Sequence, residues 1–459
     1  MSELSTKLLF KKENIFKTAS EETLAAIFAY AEGYKAFLDA AKTEREAVTE
    51  VIAMVEKAGY KPYEFGDKLE VGGCYYYANR GKSIYVFRIG SADVEKNGMR
   101  IVASHIDSPR IDLKQVPVYQ DSEMCFFKTH YYGGIKKYQW TALPLALHGV
   151  IVLADGTTVN VCIGEEEGDP IFYINDLLPH LAQDQYRRSL GEAIPGENLN
   201  ILVGGSPLAG EESDAIKLHV LKLLNEKYGI VEADFLSAEI SAVPAFKARD
   251  IGFDRALIGG YGHDDRVCSY PAITALLETK ESVNTSIVVL ADKEEVGSDG
   301  NTGMQSIVLS DLMDSICEAL GANVKAVRNH SMCLSADVNA AYDPNFREVY
   351  EHANSAILSC GTTLSKFTGS RGKAGSNDAS AEFVGVVRRL FDANGVVWQT
   401  SELGKVDQGG GGTVAKFISQ LNIDTVDLGV PVISMHAPYE VVSKADLYMT
   451  HRAFVAFMG

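Results

Sequence analysis

The sequence predicts an α/β protein: a doubly wound mixed sheet with helices on both faces, plus an inserted β-rich domain. Strand-like apolar runs alternate with helical patterns in residues 1–117 and again in residues 241–459. Residues 118–240 differ, because aromatic-rich strand patterns there are separated by Asp-Gly and Gly-rich turns. We therefore predict one α/β domain in two parts, residues 1–117 and 241–459, interrupted by a β-rich domain at 118–240.

The first part begins with a helical pattern and continues as strands. Apolar residues recur at steps of three and four over residues 20–58, and Ser20 precedes two glutamates as a plausible N-cap. Shorter runs rich in aromatic and β-branched residues predict strands at 74–77, 84–87 and 99–104. His105 follows the last of these runs directly.

The same patterns predict the remaining elements. In the inserted block, strands are expected at 124–127, 150–153 and 158–163. Beyond residue 240, buried-strand runs lie at 286–291, 331–336 and 430–435, and helical patterns lie at 383–391 and 444–457. Ligand sites in doubly wound sheets form beyond the carboxyl ends of strands, so the residues that follow these runs are the candidates for function.

Composition and charge exclude several functions. The formal net charge of −18 argues against a nucleic-acid-binding surface, which needs basic patches. Residues 1–12 contain too short an apolar run for a signal peptide, and no apolar stretch approaches the roughly 20 residues that span a bilayer. The seven cysteines are widely spaced and suit reduced, mostly buried thiols. We expect a cytoplasmic protein that binds neither nucleic acid nor membranes.

Five short segments place metal-ligating side chains at the ends of apolar runs. They contain His105 and Asp107, Asp264 and Asp265, Glu294 and Glu295, Asp337, and His436. Imidazoles and carboxylates can hold a metal pair and leave a position open for water. The adjacent Glu294 and Glu295 would repel each other without a cation nearby, and a Glu beside a ligand can deprotonate that water. Together the segments predict a two-metal hydrolytic site.

Each segment alone also has an ordinary structural explanation. His105 and Asp107 could lie in a surface turn, and Asp264 with its acidic neighbour could cap a helix. Asp337 and His436 could be satisfied core or surface groups. The metal site is favoured because all five segments follow strand-like runs, which brings them to one edge of the predicted sheet.

These segments resemble the aspartyl aminopeptidase family of dinuclear zinc exopeptidases. The matching stretches are His-Ile-Asp-Ser-Pro from residue 105, Gly-Tyr-Gly-His-Asp-Asp-Arg-Val-Cys-Ser-Tyr from 260, Glu-Glu-Val-Gly-Ser from 294, Ser-Ala-Asp-Val-Asn from 335 and Met-His at 435. Tyr-Gly-Gly from 132 and Leu-Pro-His-Leu-Ala from 178 extend the resemblance into the inserted block. The resemblance implies a zinc exopeptidase-like fold and removal of the N-terminal residue from peptides.

The resemblance also implies a set of metal ligands. His105 and Asp337 would bind one ion, Glu295 and His436 would bind the other, and Asp264 would bridge both. The two divalent ions would be Zn²⁺ in the first instance, although Co²⁺ and Mn²⁺ suit the same ligand types.

Two further residues receive catalytic roles from the resemblance. Glu294 would be the general base that forms hydroxide between the two ions, and Asp107 would orient His105. The hydroxide would attack the first peptide carbonyl, and Glu294 would pass the proton to the leaving amine.

Assembly and substrate binding are implied in the same way. Family members are commonly dodecamers built from dimers that the inserted domain forms, so the resemblance implies a homo-oligomer. The candidate substrate-binding residues are His180, His352, Lys366, Lys373, Gly412 and Thr413. His180 matches a family histidine assigned to a neighbouring subunit's active site. The stretch from Gly409 to Thr413 departs from the family's Cys-Gly-Thr-Thr and is either a flexible loop or a backbone cradle for substrate.

Side-chain preference and reaction class leave alternatives open. A preference for N-terminal Asp or Glu needs a cation, and Lys366, Arg371 and Lys373 are candidates, but they could equally form an exposed charged surface. A dinuclear deacylase or carboxypeptidase of the same fold is the nearest alternative reaction. A catalytically inactive oligomeric shell is a further alternative, although every candidate ligand and the candidate base are present.

Overall fold

The computed structural model describes residues 3–459, so Met1 and Ser2, which begin the segment considered for a signal peptide, lie outside the described residues. This part of the chain forms twelve α-helices. They are α1 (Glu3–Leu8), α2 (Ile15–Thr18), α3 (Glu21–Ala40), α4 (Glu44–Lys57), α5 (Val94–Asn97), α6 (Ala215–Tyr228), α7 (His263–Glu278), α8 (Val308–Leu320), α9 (Val324–His330), α10 (Ala381–Ala393), α11 (Ala415–Ser419) and α12 (Lys444–Met458).

Twenty-one strands form three sheets within residues 3–459. They are β1 (Lys61–Pro62), β2 (Cys74–Asn79), β3 (Ser83–Arg88), β4 (Arg100–His105), β5 (Arg110–Asp121), β6 (Met124–Tyr132), β7 (Leu145–Val152), β8 (Thr158–Ile163), β9 (Tyr173–Ile174), β10 (Ile201–Gly204), β11 (Ala238–Pro244), β12 (Arg249–Ile251), β13 (Leu257–Gly260), β14 (Ser286–Ala291), β15 (Met332–Ser335), β16 (Asn339–Ala340), β17 (Thr362–Ser365), β18 (Trp398–Thr400), β19 (Asp424–Gly429), β20 (Pro431–Ile433) and β21 (Glu440–Ser443).

The largest sheet is mixed, as predicted. Its nine strands run in the order β1-β2-β3-β14-β4-β15-β19-β17-β18. The central strands β14, β4, β15 and β19 are mutually parallel, whereas β3 and β17 pair antiparallel with this central group. Strands β3 and β14 are buried along their whole length, which is typical of a sheet that is covered on both faces.

Helices cover both faces of this sheet. One core contains buried side chains of α3, α4, α7, α10 and α12, and the other contains side chains of α5, α8, α9 and α11. Because each strand places alternate side chains on opposite faces, β4 contributes Val102 to the first core and Ile101 and Ala103 to the second. The α/β fold with helices on both faces is confirmed.

The seven-stranded sheet lies in the inserted part, the stretch for which the sequence predicts a separate β-rich domain. Its order is β8-β7-β11-β5-β6-β10-β9, and it has its own core around Trp140, Phe127 and Ile201. The sheet begins with β5 at Arg110 and ends with β11 at Pro244. The expected boundary at residue 118 therefore falls inside β5, and the sheet extends beyond the expected range of 118–240 at both ends.

Two expectations from the sequence differ from the structure. Residues 20–58 form two helices, α3 and α4, because Thr43 caps α4 in a capping box with Glu46. The run at 430–435 contains only the short strand β20, which lies in the third sheet, of order β12-β13-β21-β20-β16. The strand of the main sheet in that region is β19, which the sequence analysis did not identify.

The described chain contains no helix long and apolar enough to cross a membrane. Its cysteines form no disulfide within residues 3–459. Cys162 is exposed and Cys74 is half-buried, while the other cysteines are buried.

Candidate functional site

The central parallel strands bring three of the predicted segments to one edge of the main sheet. His105 is the last residue of β4, and in the register of the sheet it lies opposite Ala291, the last residue of β14. Glu294 and Glu295 follow in a short 3₁₀ turn three residues later. Asp337 lies two residues beyond β15, which pairs with the other side of β4. These side chains meet because parallel strands end at the same edge of a sheet.

The five-stranded sheet supplies the other two candidate ligands. Asp264 lies in the first turn of α7, four residues after the end of β13. His436 lies three residues after β20, in the turn that leads to β21. Because β13 and β20 both pair with β21, the loops that follow them are held next to each other. The candidate metal ligands, which together form the cluster, therefore meet at the junction of two sheets. This arrangement was not predicted from the sequence.

Asp264 lies between the two imidazoles. Its Oδ1 is 3.2 Å from His105 Nε2, and its Oδ2 is 3.2 Å from His436 Nε2. Asp337 Oδ1 is 3.8 Å from His105 Nε2, and Glu295 Oε2 is 3.5 Å from His436 Nε2. Each imidazole thus faces Asp264 and at least one further carboxylate.

Backbone carbonyls determine which ring nitrogen of each histidine faces the carboxylates. His105 Nδ1 donates to the backbone oxygen of Asp107 at 3.0 Å, and His436 Nδ1 donates to the backbone oxygen of Gly134 at 2.8 Å. A carbonyl only accepts, so Nδ1 carries a proton, and in the neutral ring that a metal ion requires, Nε2 presents its lone pair. Both histidines are therefore oriented as metal ligands usually are.

Asp107 connects the segments instead of facing the cluster. Its Oδ1 accepts the Glu294 N–H at 3.1 Å, and its Oδ2 accepts the Glu295 N–H at 3.2 Å. The Tyr132 hydroxyl donates to the same Oδ2 at 2.8 Å. The carboxylate also lies 3.3 Å from His105 Nδ1. Asp107 thus holds His105 and the Glu294–Glu295 turn together.

Burial and mutual repulsion change the acidity of the cluster. Burial, and then the negative charge of Asp337, raise the pKa of Glu294 to about 8. Burial and the charge of Asp264 raise the pKa of Glu295 well above its usual range. Burial alone would lower the pKa of His436, but contacts with Asp264 and Glu295 raise it to about 10. Carboxylates crowded at this density need compensating positive charge, which divalent cations would supply.

Unsatisfied acceptors show that the residues fit metal ions. Asp264 Oδ1, Asp265 Oδ1 and Glu295 Oε1 are buried and have no hydrogen-bond partner in the described chain. With neutral imidazoles, each short contact between Nε2 and an Asp264 oxygen joins two lone pairs, and a cation between them would satisfy both. Ligand atoms of His105, Asp264 and Glu295 lie within 4.8 Å of one another, as do those of His105, Asp265 and Asp337. Asp265 is therefore a further candidate ligand, outside the ligand set that the resemblance implies.

A cavity of about 360 Å³ opens onto the cluster. Its wall contains Val338, Leu403 and Met435, together with Gly412 and Thr413 of the glycine-rich loop. In that loop Gly410 has a φ of +107°, and a Cβ there would overlap the Gly369 backbone oxygen, so the loop packs closely on the neighbouring turn. Gly412 and Thr413 thus lie where a substrate could reach them.

The other predicted substrate-binding residues do not line this cavity. His180 is exposed in a short 3₁₀ helix of the inserted part, and the ring of His352 packs edge-on against Tyr342. Lys366 and Lys373 both pair with Asp378, at 2.7 and 3.1 Å. The charges of these two lysines are therefore partly neutralised within the chain.

Glu440 was not predicted from the sequence. This buried carboxylate accepts the His436 N–H at 2.7 Å and the Asp264 N–H at 3.1 Å. Its position four residues after His436 was the one available signal, and it is weak because acidic residues are common in turns. The hydroxyl of Tyr132 was also missed, although its segment carried part of the resemblance.

Comparisons with known proteins agree over nearly the whole chain. The family model described as aminopeptidase I zinc metalloprotease, M18, matches residues 37–458. A probable M18 family aminopeptidase 1 of Clostridium acetobutylicum is 48% identical over 461 residues, which cover 98% of this chain and 99% of the relative. The crystal structure of an M18 aminopeptidase from Thermotoga maritima superposes with a TM-score of 0.93 at 43% identity, covering 98% of this chain and 99% of that one. This chain therefore belongs to the M18 family of zinc metallo-aminopeptidases.

Proposed function

We propose that this aminopeptidase works with two divalent ions, most simply Zn²⁺, held by the cluster described above. His105 and Asp337 would hold one ion, Glu295 and His436 would hold the other, and Asp264 would offer one carboxylate oxygen to each. The observation that carries this proposal is the contact of each Asp264 oxygen with a different imidazole Nε2 at 3.2 Å. Asp265 is buried between Ser104 and the cluster and is the alternative third ligand near His105.

Divalent ions held by these residues would supply Lewis-acid chemistry, which makes a nearby water more acidic and a peptide carbonyl more electrophilic. Glu294 is the proposed general base, because it lines the cavity and its Oε2 lies 4.0 Å from His105 Nε2 without being one of the proposed ligands. Its carboxylate takes the proton of the attacking water and then delivers it to the amine of the departing peptide. Asp107 keeps Glu294 in place through the hydrogen bond from the Glu294 N–H.

The side chain of the first substrate residue meets a mainly neutral wall. Within the described chain no Lys or Arg lines the cavity, and Val338, Leu403 and Met435 give its wall an apolar character. A wall of this kind favours substrates with an uncharged N-terminal residue, because burying a carboxylate without a partner is costly.

A preference for N-terminal Asp or Glu is the second candidate, and one observation favours it. A recess next to the cavity shares Thr368, Leu403 and Gly410 with it and contains Arg371, Lys373 and Lys405. An acidic side chain that reached this recess would meet cations, although Glu402 and Asp407 also line it.

Hydrolysis of a panel of Asp-, Glu-, Leu- and Lys-anilides and of matched dipeptides tests the activity and the preference together. We expect metal-dependent release of the N-terminal residue alone. A higher rate for Leu than for Asp and Glu supports the neutral wall, and the reverse supports the recess.

N-acetylation of the best peptide provides the control for reaction class. An aminopeptidase needs the free α-amine, so acetylation should abolish cleavage. Cleavage of the acetylated peptide would instead indicate a deacylase, and absence of cleavage with every metal would indicate an inactive shell.

We further propose that the protein is a cytoplasmic homo-oligomer built from dimers. The first assembly to test for is a dodecamer. The mature aminopeptidase 1 of S. cerevisiae, which shares the fold at 23% identity, is a dodecamer. The loop that carries His180 also exposes Leu178, Leu181 and Tyr186, as expected of a surface that another subunit covers. Unpaired cysteines in the described chain suit the reducing cytoplasm. Light scattering measures the subunit number directly.

A further inference from the structure

One buried carboxylate joins the two proposed ligand segments that come from the smaller sheet. Glu440 is the first residue of β21 and is 1% exposed. Its Oε1 accepts the N–H of His436 and its Oε2 accepts the N–H of Asp264, so each oxygen is used by a different segment. Register places Glu440 opposite Gly260, the last residue of the strand that leads to Asp264.

The backbone at His436 explains why such a contact is needed. His436 has a φ of +65°, and Ser434 in the same turn has a φ of +61°. Residues other than glycine adopt this left-handed region at a cost, so surrounding contacts must hold the turn in place. On the ring side, His436 Nδ1 is fixed by the Gly134 carbonyl, and on the backbone side the N–H is fixed by Glu440.

We infer that Glu440 is a positioning residue, which sets the separation of Asp264 and His436 so that their side chains can share one metal ion. This inference rests on the ligand set proposed above. Glu440 acts on the backbone of the two ligand segments, because its oxygens accept the N–H groups of His436 and Asp264. Outer residues that orient metal ligands in this way typically change metal affinity by about 10- to 100-fold when they are replaced.

Asp446 provides a matched control in the same part of the chain. It is 0% exposed and accepts two backbone N–H groups, those of Ser359 and Gly361, each at 2.7 Å. Neither partner belongs to the proposed metal site. Replacing Asp446 therefore removes a carboxylate of the same type, with the same kind of partners, without disturbing the Asp264–His436 pair.

The test compares E440Q, E440D and D446N in the full-length protein. Each metal-free protein is titrated with Zn²⁺ in competition with a chromophoric chelator, and hydrogen–deuterium exchange is followed in peptides that contain residues 434–437 and 359–361. In E440Q one acceptor becomes an amide N–H₂ that faces a backbone N–H. In E440D the charge stays, but the side chain is one methylene too short to bridge both groups.

We expect both Glu440 variants to bind the ion at the His436 side about 10- to 100-fold more weakly and to exchange faster at residues 434–437. D446N should keep the wild-type Zn²⁺ affinity and exchange faster at residues 359–361. Equal Zn²⁺ affinity in E440Q and D446N would overturn the inference, as would wild-type affinity in E440D, which would show that charge alone matters.

Failure of the proposed function gives a different pattern. Wild-type protein that binds two ions but cleaves no peptide would refute the proposed function while leaving the role of Glu440 testable in the titration. If E440Q does not fold, the comparison of E440D with D446N decides the outcome.

Discussion

At the scale of single residues, the site depends on hydrogen bonds that orient the side chains facing the cluster. The carbonyls of Asp107 and Gly134 fix the two imidazoles, and the carboxylates of Asp107 and Glu440 fix the backbone around them. The sequence predicted which side chains would meet, because His105, Glu295 and Asp337 follow strand-like runs. It could not predict Glu440, because the role of that residue depends on pairing between β13 and β21, which no local pattern reveals.

Glu294→Gln tests the proposed base. We expect kcat to fall by about 10²- to 10⁴-fold, because Gln cannot accept the proton of the attacking water. Metal content per subunit should stay at the wild-type value, since Glu294 is not a proposed ligand. Steady-state kinetics and elemental analysis of the same preparation check both statements, and wild-type kcat in this variant would refute the mechanism.

Tyr132→Phe tests the link between the inserted part and the metal cluster. The change removes the hydroxyl that donates to Asp107 Oδ2 and keeps the ring, so we expect about 10-fold weaker metal binding. Tyr131→Phe is the matched control, because this neighbouring tyrosine on β6 is exposed. If the two variants bind Zn²⁺ equally well in a chelator competition assay, Tyr132 has no influence on the site.

At the scale of elements, the sequence predicted most helices and strands but not every boundary or sheet. Helical spacing of apolar residues is present on both sides of residues 41–43, so α3 and α4 were taken for one helix, and the capping box at Thr43 shows the break. The composition of the apolar run at 430–435 predicted a strand, but composition does not reveal which sheet a strand joins. As a result, the contribution of the five-stranded sheet to the site was not predicted.

A group of charged side chains connects the seven-stranded sheet to the N-terminal helices. His148 on β7 contacts Glu46 of α4 at 2.7 Å and Glu165 at 3.1 Å. Glu165 also pairs with Lys42 at 2.5 Å and with Lys247 at 2.9 Å. This group therefore links the inserted sheet to the N-terminal helices.

This group of charged side chains predicts how stability depends on pH. Burial alone would lower the pKa of His148, but contacts with Cys162, Glu165 and Glu46 raise it to about 11. Because the pKa of His148 is higher in the folded state than in the unfolded state, protonated His148 stabilises the fold. This contribution to the free energy of unfolding is complete below about pH 6.5 and is lost as the pH rises towards 11. We expect the unfolding free energy of the wild type to fall over this range and that of His148→Gln to fall less. Urea unfolding at several pH values measures the difference, and parallel curves would contradict the prediction.

At the scale of the whole molecule, the family and its reaction could be identified from the sequence, because five ligand segments in one order are specific as a set. Substrate preference could not be identified in the same way. Lys366 and Lys373 look like a cationic site in the sequence, yet in the structure both pair with Asp378, which is 12 and 5 residues further along the chain. Whether a charge is free to meet a substrate depends on such pairings.

Removal of the metal should affect the whole molecule. Ions that bind only the folded chain stabilise it by mass action, by about 2.7 kcal/mol at a free concentration one hundred times the dissociation constant. We expect chelation to abolish peptidase activity and to lower the melting temperature, and Zn²⁺ to restore both. Glu294→Gln should show the same thermal shift as the wild type, and a chelated protein that melts unchanged would contradict the proposed site.

The strand order of the main sheet has a consequence for synthesis on the ribosome. β4, which ends in His105, has β14 and β15 as its neighbours, and both are encoded more than 180 residues later. The seven-stranded sheet, by contrast, is formed by one continuous stretch of chain from Arg110 to Pro244. Because pairing between distant segments must wait for the later one, the inserted sheet can fold while both edges of β4 are still unpaired. The order of segments along the chain therefore allows the inserted sheet to form first, whereas the proposed metal cluster cannot be complete until His436 has left the exit tunnel.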